Sequence, residues 1–217
     1  MLLGGNLSIE GLIINLVVLL IGMTLHEFAH NYIGWRMGDP TPAQQGRLTL
    51  NPFVHINWVG WLMFALIGFG ILGSAPISPY RMPQENRRWR WLAAVAAGPL
   101  SNLILAAIFG LVIRLMGQTL FNLPDIFTNF LIQMVYLNVL LAVFNLLPLY
   151  PIDGWQIVYA LLPPELAVKW EQYRNVSTYA FFALLLLSLL RIPGVPNLLS
   201  ALISQPTIAI TRLLIGG

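Results

Sequence analysis

Long apolar runs separated by short polar stretches make up most of this 217-residue chain. The runs cover about residues 7–35, 58–75, 91–116, 128–149, 176–190 and 198–215. Most of them approach or exceed the ~20 apolar residues with which a helix crosses a bilayer. The pattern predicts an all-α polytopic membrane protein with about five to six transmembrane helices.

The run at 58–75 differs from the others because it is only marginally long enough to span and contains four glycines. Arg36 and Arg47 precede it, and four arginines follow it between residues 81 and 90. Because positively charged loops favour the cytoplasmic side, both flanks are predicted on that side, with the run entering the membrane and returning. A full crossing is the open alternative, since the charge rule is only a bias.

Two polar stretches carry further structural signals. Residues 46–52, Gly-Arg-Leu-Thr-Leu-Asn-Pro, alternate in a way that can form a short strand. Two prolines and Gly154 around Asp153 break the helix that ends near residue 149. A short helix is expected at 156–162, followed by a polar connection at 163–175. A re-entrant or short β segment is therefore expected between the first helix and the helix that contains Gly98-Pro99.

Composition supports a membrane protein and excludes some sites. The chain is 58% hydrophobic and 9% charged, whereas about 25% of residues are charged in ordinary soluble domains. It has no cysteine, so disulfides and thiolate metal sites are excluded. The net charge of +3 bears on membrane orientation and does not indicate nucleic acid as a partner. The length suits one membrane domain over 1–217, with a catalytic core at about 7–162 and C-terminal spans at about 176–217.

Candidate chemistry begins with His26-Glu27-Phe28-Ala29-His30, an H-E-x-x-H motif inside the first apolar run. Histidines four residues apart lie on one face of a helix and can bind one metal ion, with the glutamate acting on a water at that metal. Buried imidazoles and carboxylates need partners, which a metal provides. The alternatives are a chance occurrence of the motif or two packed helix histidines.

A third ligand is needed, because catalytic zinc sites usually combine three protein ligands with an open position. The candidates outside the motif are His55, Asp39, Asp125, Asp153 and the glutamates. Asp153 is preferred because an unpaired carboxylate at membrane depth is costly and Gly154 allows close backbone approach. The alternatives are that Asp153 caps the following helix and that His55 packs within its loop.

Two asparagines, Asn102 and Asn145, lie in apolar surroundings and are candidate substrate-binding residues. Each could hold a substrate backbone or polarise its carbonyl group. Hydrogen bonding between helices is the alternative for both residues.

Together these motifs resemble site-2 proteases. The resemblance rests on His26 to His30, residues 46–52, Ala97-Gly98-Pro99 with Asn102, and Asn145-Leu146-Leu147-Pro148 followed by Asp153-Gly154. It covers about residues 20–157 and is similar to the minimal members without PDZ or CBS domains. Two departures stand out: Ile152-Asp153-Gly154-Trp155 where the family commonly has Leu-Asp-Gly-Gly, and Asn57-Trp58 where it often has Asp-Pro.

The resemblance implies His26, His30 and Asp153 as ligands of one zinc ion, Glu27 as the catalytic carboxylate and Asn102 as a residue near the site. It implies an intramembrane metalloprotease whose partners are a transmembrane protein substrate and the lipid bilayer. A multi-pass protein of a bacterial or plastid-type membrane is expected, with its site toward the cytosol. A membrane metal-binding or transport protein and an inactive membrane scaffold are the competing hypotheses, and the oligomeric state is open.

Overall fold

Helices account for nearly all the regular structure of the computed structural model, which describes residues 8–67, 70–190 and 197–217. The α-helices in this part of the chain are α1 (Ile9–Arg36), α2 (Thr41–Gln44), α3 (Trp58–Ile67), α4 (Arg87–Met116), α5 (Asp125–Asn145), α6 (Asp153–Leu161), α7 (Pro164–Gln172), α8 (Arg174–Leu190) and α9 (Leu198–Ile215). Short 3₁₀ turns lie at Pro52–Val54, Pro79–Arg81 and Gly117–Asn122. The predicted all-α class is confirmed.

Four helical segments of the described chain are long and apolar enough to cross a membrane: Ile9–Arg36, Arg87–Leu120, Asp125–Asn145 and Leu198–Ile215. A fifth span results if α7 and α8, which meet at a 54° bend, count as one crossing. The count of five equals the lower end of the expected five to six spans. The run at 58–75 adds no further span, because the helix described in it has only ten residues.

The centre of the molecule is the packing of α1, α4 and α5 against one another. Ile14, Val18 and Leu19 of α1 meet Met134 and Leu137 of α5 in an apolar cluster. The last helix, α9, packs on the outside of α4 and α5. The three central helices form the frame of the molecule, with α1 packed against both α4 and α5.

The segment after α2 doubles back, as the charge pattern of its flanks predicts. Ile56 and Gly73 form an antiparallel bridge, and the backbone N–H of Asn57 donates to the carbonyl oxygen of Leu72 over 2.9 Å. A side chain at Gly60 would place its Cβ 1.8 Å from the carbonyl oxygen of Ile71. The glycine is therefore required where the outgoing and returning limbs touch.

Two local predictions were wrong. No strand forms at 46–52, because the side chain of Asn51 instead accepts a hydrogen bond from Phe53 and starts the 3₁₀ turn at Pro52. The expected polar connection at 163–175 contains the helix α7, which starts with Pro164 at its first position. A helix of nine residues makes only about two and a half turns, which is too short for its apolar periodicity to stand out from a polar loop.

Candidate metal centre

The second half of α1 carries three buried polar side chains in succession along one side of the helix. His26, Glu27 and His30 are only 3%, 4% and 4% exposed. They lie inside a segment that is long and apolar enough to cross a membrane. Burial of such groups is costly without compensating contacts, so their partners identify what the site is built for.

Asp153 meets the two histidines although it lies more than a hundred residues further along the chain. The Nε2 atoms of His26 and His30 are 3.0 Å apart, and each lies close to Asp153 Oδ2, at 3.1 Å and 3.2 Å respectively. Within the described ranges, these three residues are the group of histidine and acidic side chains placed to share a metal ion.

Hydrogen bonds at the far side of each imidazole determine which nitrogen carries the proton. Nδ1 of His26 lies 2.7 Å from Oδ1 of Asn102, and Nδ1 of His30 lies 2.8 Å from the carbonyl oxygen of Ala94. Both oxygens are acceptors, so each Nδ1 is the donor. In the neutral rings, the two Nε2 lone pairs therefore point toward each other and toward Asp153.

This donor set fits a zinc ion. Three lone-pair atoms held 3.0–3.2 Å apart repel one another unless a cation lies among them. Two ligands of one tetrahedral zinc at 2.0–2.1 Å are separated by about 3.3 Å, close to the distances observed. Two nitrogens and one carboxylate oxygen also leave a position open for water, which is the composition of a catalytic zinc site.

Asp153 reaches this place because the chain breaks between α5 and α6. Asp153 is the first residue of α6, and the N-cap of this helix is Ile152. The alternative that Asp153 caps the helix is therefore wrong. At Gly154 an added Cβ would lie 2.1 Å from the carbonyl oxygen of Leu147. The missing side chain lets the start of α6 rest directly on the turn that follows α5.

The other close approach occurs at Gly98 in α4. A Cβ there would lie 2.2 Å from Nε2 of His30 and 2.7 Å from Nε2 of His26. The absence of a side chain at Gly98 lets the pair of imidazoles from α1 approach the backbone of α4 closely.

Glu27 lies beside the three candidate ligands but does not join their cluster. Its side chain packs against Gly73 in the returning limb of the re-entrant segment, where an added Cβ would come within 2.7 Å of Oε1. Its other oxygen, Oε2, is buried and has no hydrogen-bond partner in the described part of the chain. The carboxylate is thus held next to the metal site with unused hydrogen-bonding capacity.

A cavity of about 430 Å³ opens in front of these residues. Its walls come from α1, α4, the end of α5, the start of α6, Phe181 of α8 and residues 70–75 of the returning limb. Asn145 and Gln156 add polar groups to the lining. A volume of this size accommodates a stretch of polypeptide side chains rather than only water.

The two asparagines predicted from sequence have different surroundings. Asn102 is completely buried, and its Nδ2 donates to the Gly22 carbonyl oxygen and to Oδ1 of Asn138. These contacts favour the interhelical alternative for Asn102. Asn145 lines the cavity while its Nδ2 donates to the carbonyl oxygen of Leu141. Substrate contact stays a prediction for both residues.

Sequence reasoning missed Asn138, which is fully buried and completes the link between α4 and α5. It is an amide in an apolar helix, the same kind of signal that drew attention to Asn102 and Asn145. The two tryptophans that depart from the residues usual in the family, Trp155 and Trp58, have different surroundings. Trp155 is buried and stacks on Trp170 at 4.2 Å, outside the cavity lining, and Trp58 is exposed and stacks on Phe53.

His55 does not belong to the cluster of candidate ligands. Its Nε2 lies 2.8 Å from the carbonyl oxygen of Thr49, which agrees with the loop-packing alternative. Burial lowers the pKa of this imidazole from its usual value, so the neutral form is favoured.

A family model and several similar proteins all point to one family of metalloproteases. The model of peptidase family M50 matches residues 121–188. A relative named "putative zinc metalloprotease YwhC", from Bacillus subtilis, is 37% identical over 175 residues, which cover 79% of this chain and 78% of the relative. The "putative zinc metalloprotease Rip2" of Mycobacterium tuberculosis strain H37Rv is 32% identical over 79% of this chain and 63% of its own length.

A more distant relative is archaeal. The "putative zinc metalloprotease MJ0611" of Methanocaldococcus jannaschii is 26% identical over 77% of this chain and 75% of its own length. No solved structure matches the chain significantly. The identity to YwhC extends over more than two thirds of both proteins, and the spanning helices agree with a membrane location. The chain belongs to peptidase family M50, the site-2 protease family, and is an integral membrane zinc metalloprotease.

Proposed function

We propose that this protein hydrolyses peptide bonds of membrane-spanning proteins at the site between α1, α4 and α6. His26, His30 and Asp153 hold the zinc ion, and Glu27 is the catalytic carboxylate. The observation that carries the proposal is the convergence of two Nε2 atoms and Asp153 Oδ2 within 3.0–3.2 Å, beside a buried carboxylate and at the wall of a cavity of about 430 Å³.

Zinc at this position supplies a Lewis acid and a water of lowered pKa. Glu27 accepts the proton of the attacking water and delivers it to the departing amine. Its carboxylate suits this task because it is buried beside the three candidate ligands and lies against the cavity. Asn102 and Ala94 keep the two rings turned so that Nε2, rather than Nδ1, faces the ion.

The substrate is proposed to bind as an extended strand. Peptide carbonyl groups of a helix are engaged in its internal hydrogen bonds, so the segment to be cut must unwind locally. In the described structure Gly73 is bridged only to Ile56, and residues 74–77 belong to no regular element and have no strand partner. This limb lines the cavity next to Glu27, where an unwound segment can pair with it by β-addition.

The site is proposed to face the cytosol. Arg90 at the start of α4 donates to the carbonyl oxygen of Met37 at the end of α1, and Arg81 donates to Thr41. The arginine-rich residues 81–90 therefore lie at the same end of the bundle as the second half of α1. Arginine-rich flanks favour the cytoplasmic side, which gives water access from that side.

Two variants test the proposal when zinc content and cleavage are measured together. Glu27→Gln is expected to retain one zinc ion per chain while losing cleavage of a transmembrane peptide, by about 10²-fold or more. Asp153→Ala is expected to lose zinc and activity. Leu100→Ala, an exposed change in α4, is the control. Full cleavage by Glu27→Gln, or full zinc occupancy in Asp153→Ala, would contradict the assignment.

A further inference from the structure

A second, much smaller cavity lies behind Glu27, between α1 and the base of the re-entrant segment. Its volume is about 10 Å³, close to the smallest space that holds one water molecule. Its lining includes Glu27 and Thr24 of α1, Trp61 of α3, and His55 in the loop between α2 and α3. The cavity is therefore a place where α1 and the re-entrant segment meet through polar groups.

Two of these polar side chains are already bonded. Thr24 Oγ1 donates to the carbonyl oxygen of Leu20 over 2.6 Å, and Trp61 Nε1 donates to that of Leu72 over 3.0 Å. The other two retain a buried atom without a partner among the described residues, namely Oε2 of Glu27 and Nδ1 of His55. His55 is only 3% exposed. Such atoms carry a substantial desolvation cost unless something bonds to them.

Both unpartnered atoms are hydrogen-bond acceptors. The contact between Nε2 of His55 and the carbonyl oxygen of Thr49 requires the proton on Nε2, which leaves a lone pair on Nδ1. An ionised carboxylate also only accepts. The two groups cannot bond to each other directly, and a molecule between them must donate twice. Water is the smallest molecule that provides two O–H donors.

We propose that one water molecule in this cavity bridges His55 Nδ1 and Glu27 Oε2, which makes His55 a positioning residue for the catalytic carboxylate. The inference rests on the proposed function in so far as Glu27 is catalytic. One ring nitrogen of His55 ties it to its own loop at Thr49, and the other holds Glu27 through the water. The bridge restrains the orientation of the carboxylate and couples it to the re-entrant segment.

Two substitutions at one position separate this role from simple packing. In His55→Asn, the side-chain oxygen takes about the place of Nδ1 and can accept from the water. In His55→Leu the acceptor is lost. Both variants lose the bond to Thr49, so a purely structural role affects them alike. Phe53→Leu, on the exposed side of the same 3₁₀ turn, serves as the matched control.

The first readout is kinetic, with a fluorophore- and quencher-labelled transmembrane peptide chosen as the one that the wild-type protein cleaves best from a panel. His55→Leu is expected to lower kcat about 10- to 100-fold, the usual effect of removing a group that orients a functional side chain through a hydrogen bond. KM and the zinc content are expected to stay unchanged. His55→Asn is expected to recover most of kcat. An unimpaired Leu variant, or equal losses in the two variants, would overturn the inference.

The second readout does not depend on activity. Thermal unfolding midpoints are compared for Glu27→Leu, His55→Leu and the double variant, all with zinc bound. If one water joins the two groups, each single change strands the other partner, and the double variant loses less than the sum of both. Additive losses would refute the bridge. If no peptide is cleaved by the wild-type protein, the proposed function fails, and this cycle still decides the bridge.

Discussion

Asn102 in α4 accepts a hydrogen bond of 2.7 Å from Nδ1 of His26 in α1. Its own Nδ2 donates back to Gly22 in α1 and across to Asn138 in α5. A single buried amide thus links the three central helices and sets the orientation of one imidazole at the metal centre. The same side chain therefore contributes to the packing of the bundle and to the orientation of His26, a proposed zinc ligand.

Replacement of Asn102 by leucine is expected to weaken zinc binding about 10- to 100-fold, the usual effect of removing the group behind a metal-ligating histidine. Without an acceptor at Nδ1, the ring of His26 loses both its tautomer preference and its orientation. Competition with a zinc chelator measures the change. Ser101→Ala, one residue away and outside this network, is the control, and equal affinities of wild type and Asn102→Leu would contradict the role.

Gly98→Ala tests whether the two imidazoles need bare backbone in α4. The new methyl group would lie 2.2 Å from His30 Nε2, so the ring must move or the helices must separate, at a typical cost of about 1–3 kcal/mol. Zinc content and cleavage are both expected to fall. Ala93→Val adds volume on the exposed side of α4 and is expected to leave both unchanged. Retention of zinc by Gly98→Ala would show that the contact is dispensable.

Trp155→Gly restores the Leu-Asp-Gly-Gly type of glycine pair that the family commonly shows. In this chain it removes a buried ring that stacks on Trp170, while the backbone carbonyl oxygen of residue 155, which accepts from Trp170 Nε1, is retained. Loss of a buried tryptophan typically costs about 3–5 kcal/mol, so the unfolding midpoint is expected to drop. Trp155→Phe keeps a stacking ring and should retain most of the stability. Equal midpoints in wild type and the glycine variant would rule out this structural role.

Arg114 near the end of α4 donates to the carbonyl oxygens of Leu213 and Leu214 at the end of α9. Arg114→Ala is expected to loosen the end of α9 while leaving zinc binding unchanged, with a cost below about 1 kcal/mol because the contact is exposed. Hydrogen exchange of the last turn of α9 measures the loosening. Arg212→Ala removes an equal charge from the same region, and a matching effect there would assign the result to charge alone.

The spanning helices and the metal motif could be read from local sequence. Apolar runs set the positions of α1, α4 and α5 within a few residues, and the H-E-x-x-H spacing placed His26 and His30 on one helix face. Short elements were harder. The strand expected at 46–52 does not form, because the side chain of Asn51 caps a 3₁₀ turn there. The helix α7 was not predicted because it is short and polar.

By itself, the sequence determined the membrane class, the main helices and the pair of histidines, because each of these depends on residue types repeated within a few turns of one helix. For the acidic partner and for the segment around α3, the sequence favoured Asp153 and a returning run but left alternatives open. Only the tertiary structure decided between these alternatives and showed which nitrogen of each ring faces Asp153. His30 and Asp153 are 123 residues apart in the chain, and contacts over such separations follow from packing at Gly98, Gly154 and Asn102, which no local pattern encodes.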